Sequence, residues 1–188
     1  MKRAPLLILL LAACTEEAQD LTPVALTADA VGHYCQMGLL EHSGPKAQVH
    51  LEGYAGMPLY FSQVRDAIAY SRLPEQDGVI LAIYVNDMGA PGASWTNPGA
   101  SNWIPAEEAH YVVGSRAEGG MGAPELVPFA DPEGAAAFAR EKGGAVMALA
   151  AVPDEAVIAP VALGADLAPG DDADYDARLR ALSDKIGG

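Results

Sequence analysis

Apolar and polar residues alternate from Lys46 to Leu51, with Ala47, Val49 and Leu51 set against Lys46, Gln48 and His50. That period of two predicts a half-buried strand. Gly53-Tyr54-Ala55-Gly56 is a turn signal, and a second strand starts at Pro58 to Phe61. Phe61, Val64 and Ile68 then fall at helical spacing, with Ser62 as the expected N-cap and Pro74 as the stop. The β-rich run Val79 to Val85 reads as a buried strand. The order strand, strand, helix, strand recurs downstream. Ala109 to Val113 and Leu126 to Phe129 are strands, and Asp131 caps a helix with Pro132 at its first position. Gly143-Gly144 closes that helix, and Ala145 to Leu149 is a final strand.

Phe61, Tyr70 and Arg72 have the same spacing as Phe129, Phe138 and Arg140. With the matching element order, this predicts an internal duplication. The fold class is α+β, two tandem ββαβ modules with small mixed or antiparallel sheets. A module this small buries little surface alone, so the two are expected to pack together. The expected boundaries are 28–86 and 103–150. The Gly-, Pro- and Asn-rich stretch 87–102 forms a linker loop between them, and 151–188 forms an acidic, flexible tail.

The amino terminus changes the picture. Lys2 and Arg3 precede an apolar run, Leu6 to Leu11, too short to span a bilayer, so residues 1–13 read as a secretory signal. Leu11-Ala12-Ala13-Cys14 is similar to a bacterial lipobox, in which the cysteine is lipidated and becomes the first mature residue. Residues 14–27 then form a flexible tether, and the chain is anchored to a membrane without crossing it. Of 2 Cys, only Cys35 remains as a free thiol, in an oxidising compartment where cysteines usually pair. Loss of Lys2 and Arg3 leaves 9 of 11 basic residues against 25 acidic ones, a formal charge of −16. Such a surface repels phosphate backbones, which excludes nucleic acid, and attracts cations or basic partners.

The candidate chemistry lies in sulfur. Cys35 and Met37 are two residues apart, which places both on one side of an extended or turning backbone. Thiolate and thioether donors are soft and select Cu(I) over harder ions. These two residues are expected to open a monovalent copper site that is completed from elsewhere in the fold. A thiol must lose its proton to bind metal, so affinity should weaken as pH falls.

These features occur in a recognisable series. The lipobox at Cys14 precedes Cys35-Gln36-Met37, Trp103-Ile104-Pro105-Ala106 and Ala109-His110-Tyr111-Val112-Val113-Gly114-Ser115, and Gly120-Met121-Gly122 follows. The series resembles the NosL family of accessory lipoproteins of the nitrous oxide reductase system, from the signal to about Leu149. The resemblance implies a fold like that of the organomercurial lyase. It also implies a periplasmic, non-enzymatic Cu(I) metallochaperone that delivers copper to nitrous oxide reductase beside an ABC-type membrane maturation complex. Carried over by position, it assigns Cys35, Met37 and Met121 as metal ligands and Cys14 as the lipidation site. The family often has Gly between Cys and Met; here Gln36 stands there.

Other donors rank below these three. His33 is near enough to ligate or to adjust the site, and His110 starts a strand. The fourth ligand stays open between water, His33, His110 and a partner protein. His42 and His50 read as solvated, Met57 and Met88 as turn residues, and Trp95 and Trp103 as packing at the module junction. Two rival functions are a metal-free, lipid-anchored interaction module and a Cys35-dependent lyase or redox enzyme. The latter needs an oriented base beside the thiol.

Overall fold

The computed structural model describes residues 18–159 and Arg180. The expected secretory signal, Cys14 and the chain beyond Ala159 lie outside the described residues, apart from that arginine. The first half contains β1 (Ala47–Leu51), β2 (Leu59–Phe61), α1 (Val64–Arg72) and β3 (Ile80–Asn86). After a long loop come β4 (Trp103–Pro105), β5 (His110–Val113), β6 (Val127–Phe129), α2 (Pro132–Lys142) and β7 (Ala145–Ala148). Pairing between the named strands is antiparallel, in sheets of order β2-β1-β3-β4 and β6-β5-β7.

Each half is thus strand, strand, helix, strand, and the repeated aromatic spacing has a structural counterpart. The Phe61 and Tyr70 rings lie 5.4 Å apart at 46°, and those of Phe129 and Phe138 lie 5.5 Å apart at 51°. Asp131 caps α2 by accepting from the Glu133 N–H at 3.1 Å, and Gly143 ends it at φ +80°. The halves share the main core, and Val112, Val127, Phe129 and Ala135 form a separate cluster in the second half. Val49, Phe61, Val64 and Ile68 of the first pack in one buried cluster with Tyr111 and Leu126 of the second.

Four expectations change. First, β1 is buried on both faces, Gln48 and His50 included. The Gln48 side chain pairs with the Val24 backbone (2.9 and 3.0 Å), and its Oε1 accepts from His50 Nε2–H at 2.9 Å. His50 is therefore not solvated, and the tether is shorter than 14–27, because Leu26 is buried and its N–H bonds Ala100 O. Second, β4 joins the first sheet through Tyr84–Pro105 and Asn86–Trp103, so residue 103 does not begin the second sheet. Third, Ser62 is not the N-cap of α1; Gln63 holds that position. Fourth, the packed chain continues past residue 150. Val152 and Val157 enter the shared core, and two arginines one heptad apart on α1 hold the segment. Arg72 donates to Val152 O (2.9 Å) and Asp154 (2.8 Å), while Arg65 donates to Val157 O (3.2 Å) and Ala159 O. A composition rich in Ala, Pro and Asp hides this, since all but one of these bonds are accepted by backbone carbonyls.

Candidate metal centre

Cys35 sits in a tight loop fastened to β2. Gly32 N–H donates to Met37 O at 3.0 Å, Gln36 N–H to Gly32 O at 2.8 Å, and His33 N–H to Tyr60 O at 2.6 Å. Among the described residues other than glycine, only Gln36 has a positive φ (54°). This left-handed conformation is where glycine costs least, and a residue with a Cβ pays about 1–2 kcal/mol. The Gln36 amide offsets part of that by donating to His33 O at 2.6 Å.

The reversal at Gln36 separates its two neighbours, so simple alternation does not describe them. The Cys35 sulfur turns inward. A Cβ added at Gly32 would meet it at 2.5 Å, with a Leu39 methyl at 3.6 Å and Ser62 N at 3.9 Å from the same point. Met37 stays 43% exposed.

Met121 arrives from the other half at the tip of a small loop. Glu118 bridges Pro124, Gly119 N–H donates to Ala123 O (2.8 Å), and Gly122 N–H donates to Gly119 O (2.9 Å). This tip fits a slot between two parts of the first half. A Cβ at Gly119 would meet Gln63 Oε1 at 2.5 Å and Glu125 Oε2 at 2.6 Å; one at Gly120 would meet His42 Cβ at 2.5 Å. Two consecutive glycines let the backbone pass where no side chain fits. The Met121 N–H then donates to Gln63 Oε1 at 3.0 Å.

The result is a cavity of about 380 Å³ lined by Cys35 and Met121 together, with Tyr34, Gln63, Arg65 and Val157 among its walls. Met37 does not line it. Met121 is 47% exposed, so the cavity can be reached from solvent. Among the described residues no three His, Cys, Asp or Glu side chains gather as a metal site. Asp66 lines the cavity as well, and the two sulfurs beside it favour a soft ion.

The histidines occupy other places. His33 packs against Tyr34, Phe61 and Tyr70, and its Nε2 lies 3.3 Å from Asp77. His110 is in the central strand of the second sheet, opposite Phe129 and Ala148. His42, expected to be solvated, is half-buried against Gly120, and its Nδ1–H donates to Gly38 O at 3.0 Å.

Buried polar residues support the cavity, and sequence reasoning missed them. Glu125, 2% exposed, comes from the second half yet caps α1, where Gln63 makes no capping bond of its own. Its Oε1 accepts from Arg65 N–H (3.0 Å) and Leu126 N–H (2.9 Å), whereas Oε2 has no partner. Burial raises this carboxyl to about 8, with the Asp66 charge adding to the effect. Lys46 is also buried, donating to Ser43 O (3.0 Å) and Gly44 O (2.5 Å). Burial lowers its ammonium to about 8 against the pull of Glu125 and Cys35. Neither residue lies on a periodic apolar face, so no local pattern marked them.

Comparison with known proteins gives one consistent result. The NosL family model matches residues 23–157. A protein of Achromobacter cycloclastes described as a copper-binding lipoprotein NosL is 58% identical over 180 residues, covering 95% of this chain and 92% of that one. A protein of Stutzerimonas stutzeri with the same description is 34% identical over 133 residues, 70% of this chain and 66% of its own. The crystal structure of the copper chaperone NosL from Shewanella denitrificans matches at a TM-score of 0.63 and 28% identity, over 69% of this chain and 94% of that one.

Proposed function

The chain belongs to the NosL family, and from that premise we propose that it is a periplasmic, lipid-anchored Cu(I) metallochaperone. Its cargo is delivered for assembly of the copper centres of nitrous oxide reductase, beside an ABC-type membrane maturation complex. The observation that carries this reading is that Cys35 and Met121, 86 positions apart in the sequence, line one solvent-reachable cavity. Cys35 supplies a thiolate once its proton leaves, and Met121 supplies a thioether that has none to lose. Met37, exposed on the same loop as Cys35, is the third sulfur and closes on the ion from the solvent side. Such a site suits transport. Thiolate holds Cu(I) against stray ligands, while thioethers exchange one at a time with an acceptor. Acylation at Cys14 is part of the same reading, supported by the lipobox and by the description of the relatives as lipoproteins.

Anaerobic Cu(I) titration against a competing chelator tests the reading. The wild-type protein should take up one ion, Cys35→Ser should lose tight binding, and Met121→Ala should bind at least about tenfold more weakly, the loss that removing even an outer-shell partner of a ligand brings. Equal uptake by all three proteins would sink the assignment.

A further inference from the structure

The start of the described chain is pinned to one place. The Gln19 side chain donates to Leu51 O at 2.9 Å and accepts from Gly53 N–H at 2.8 Å, so the chain enters at the β1–β2 turn. Cys14 lies five residues earlier, a stretch that spans at most about 17 Å even when fully extended. An acyl anchor on Cys14 therefore keeps this turn close to the lipid headgroups, whatever path the intervening residues take.

The same turn carries apolar side chains that nothing in the described fold covers. Tyr54 is 51% exposed and Met57 64%, and Val79, leading into β3, is 60% exposed. Backbone bonds tie the three together: Glu52 N–H to Val79 O (2.9 Å), Tyr54 N–H to Leu51 O (3.3 Å) and Met57 N–H to Tyr54 O (3.1 Å). Single exposed apolar residues are ordinary. Three at the one end to which the anchor is tied are a surface with a stated neighbour. A tyrosine there, apolar in the ring and polar at the tip, suits the boundary between acyl chains and headgroups. The chain's strong negative charge, with Glu52 in this turn, favours zwitterionic over anionic lipid.

The sulfur cavity lies at the other end of the sheet. The chain leaves the turn at Pro58 and runs through β2 (Leu59–Phe61), and Ser62, Gln63 and Cys35 line the cavity beyond the far end of that strand. We propose that the β1–β2 edge, through Tyr54, Met57 and Val79, rests on a zwitterionic phospholipid surface and so presents the sulfur cavity away from the bilayer. The acyl anchor supplies the affinity and this edge the orientation. The inference rests on acylation of Cys14, as read above.

Brominated acyl chains quench nearby tryptophan, which gives a direct test in the acylated full-length protein bound to phosphatidylcholine vesicles. Tyr54→Trp and Val79→Trp should each lose most of their added emission. Ile158→Trp, beside the cavity wall formed by Val157 and Ala159, should keep its emission. Equal quenching at all three positions, quenching at Ile158→Trp alone, or none at all would overturn the proposal. Amide exchange in the unsubstituted protein is independent of these variants. It should slow at residues 52–57 on vesicles relative to detergent, and unchanged exchange there would overturn the orientation as well. Failure of the protein to sediment with vesicles would remove the anchor and the proposal with it. Cu(I) uptake by that unbound protein would still leave the chaperone reading standing.

Discussion

The two halves are built on the same frame but use it differently. In both, an aromatic at the end of the second strand meets an aromatic on the helix at nearly the same separation and tilt. Around Phe61 and Tyr70, the loop bearing Cys35 adds His33 and Tyr34 to the cluster. Around Phe129 and Phe138, the inter-sheet loop adds Trp95. Helix α1 is buried by the sheet, the Met121 loop and the segment ending at Ala159, whereas α2 fully buries only Ala135. The difference shows which half the extra segments elaborate. The frame holds each half together, and the site lies where extra segments cross α1 in one half only.

Removing the matched aromatics should break the symmetry most visibly. Tyr70→Ala is expected to cost about 3–5 kcal/mol, the usual range for a fully buried aromatic. Phe138→Ala, at a partly exposed position, should cost about half as much. Urea unfolding compares the two directly, and equal losses would mean that the second half is as tightly packed as the first.

A smaller effect should follow from filling the slot that brings the halves together. Gly119→Ala puts a Cβ 2.5 Å from Gln63 Oε1 and 2.6 Å from Glu125 Oε2. Both atoms end flexible side chains, so the cost falls at the low end of the about 1–3 kcal/mol that overpacking brings. It should also move Met121 off Cys35, so Cu(I) affinity falls more than thermal stability does. Retained affinity would show that the slot does not set the sulfur spacing.

The smallest effect is a pH slope. Glu125 titrates at about 8 in the folded chain against 4.5 unfolded, so folding favours its protonated form. That stabilisation is complete below pH 4.5 and is lost as pH rises through 8. Lys46, lowered from 10.5 to about 8, acts in the next window, where stability is regained between pH 8 and 10.5. Glu125→Gln keeps the cap geometry without the charge. Its melting temperature should therefore fall less than that of the wild type between pH 5 and 8, and parallel curves would refute the buried acid.

Local pattern made much of this molecule legible. Alternation marked β1, helical spacing marked α1, and Asp131-Pro132 with Gly143 marked both ends of α2. The Phe, Tyr/Phe and Arg spacing pointed to the repeated order of strand, strand, helix and strand that the fold shows. These features lie within a few residues of one another, and short-range sterics and periodicity are sufficient to fix them. Other features depend on contacts across the chain. The polar face of β1 reads as solvent-facing because Val24, which bonds Gln48, precedes it by 24 positions. The extent of the tail was hidden for the same reason, since Arg65 and Arg72 hold carbonyls more than 75 positions away.

The sequence by itself determined the frame and the kind of chemistry, because strand period, helix caps and the softness of sulfur are properties of residues and their near neighbours. Only the tertiary structure decided the site. It turned Cys35 inward at Gln36, passed Gly119-Gly120 through a slot too narrow for a side chain, and set Glu125 of one half on the helix of the other. Each of those outcomes depends on excluded volume and hydrogen-bonding partners supplied by distant parts of the chain, which no local window contains.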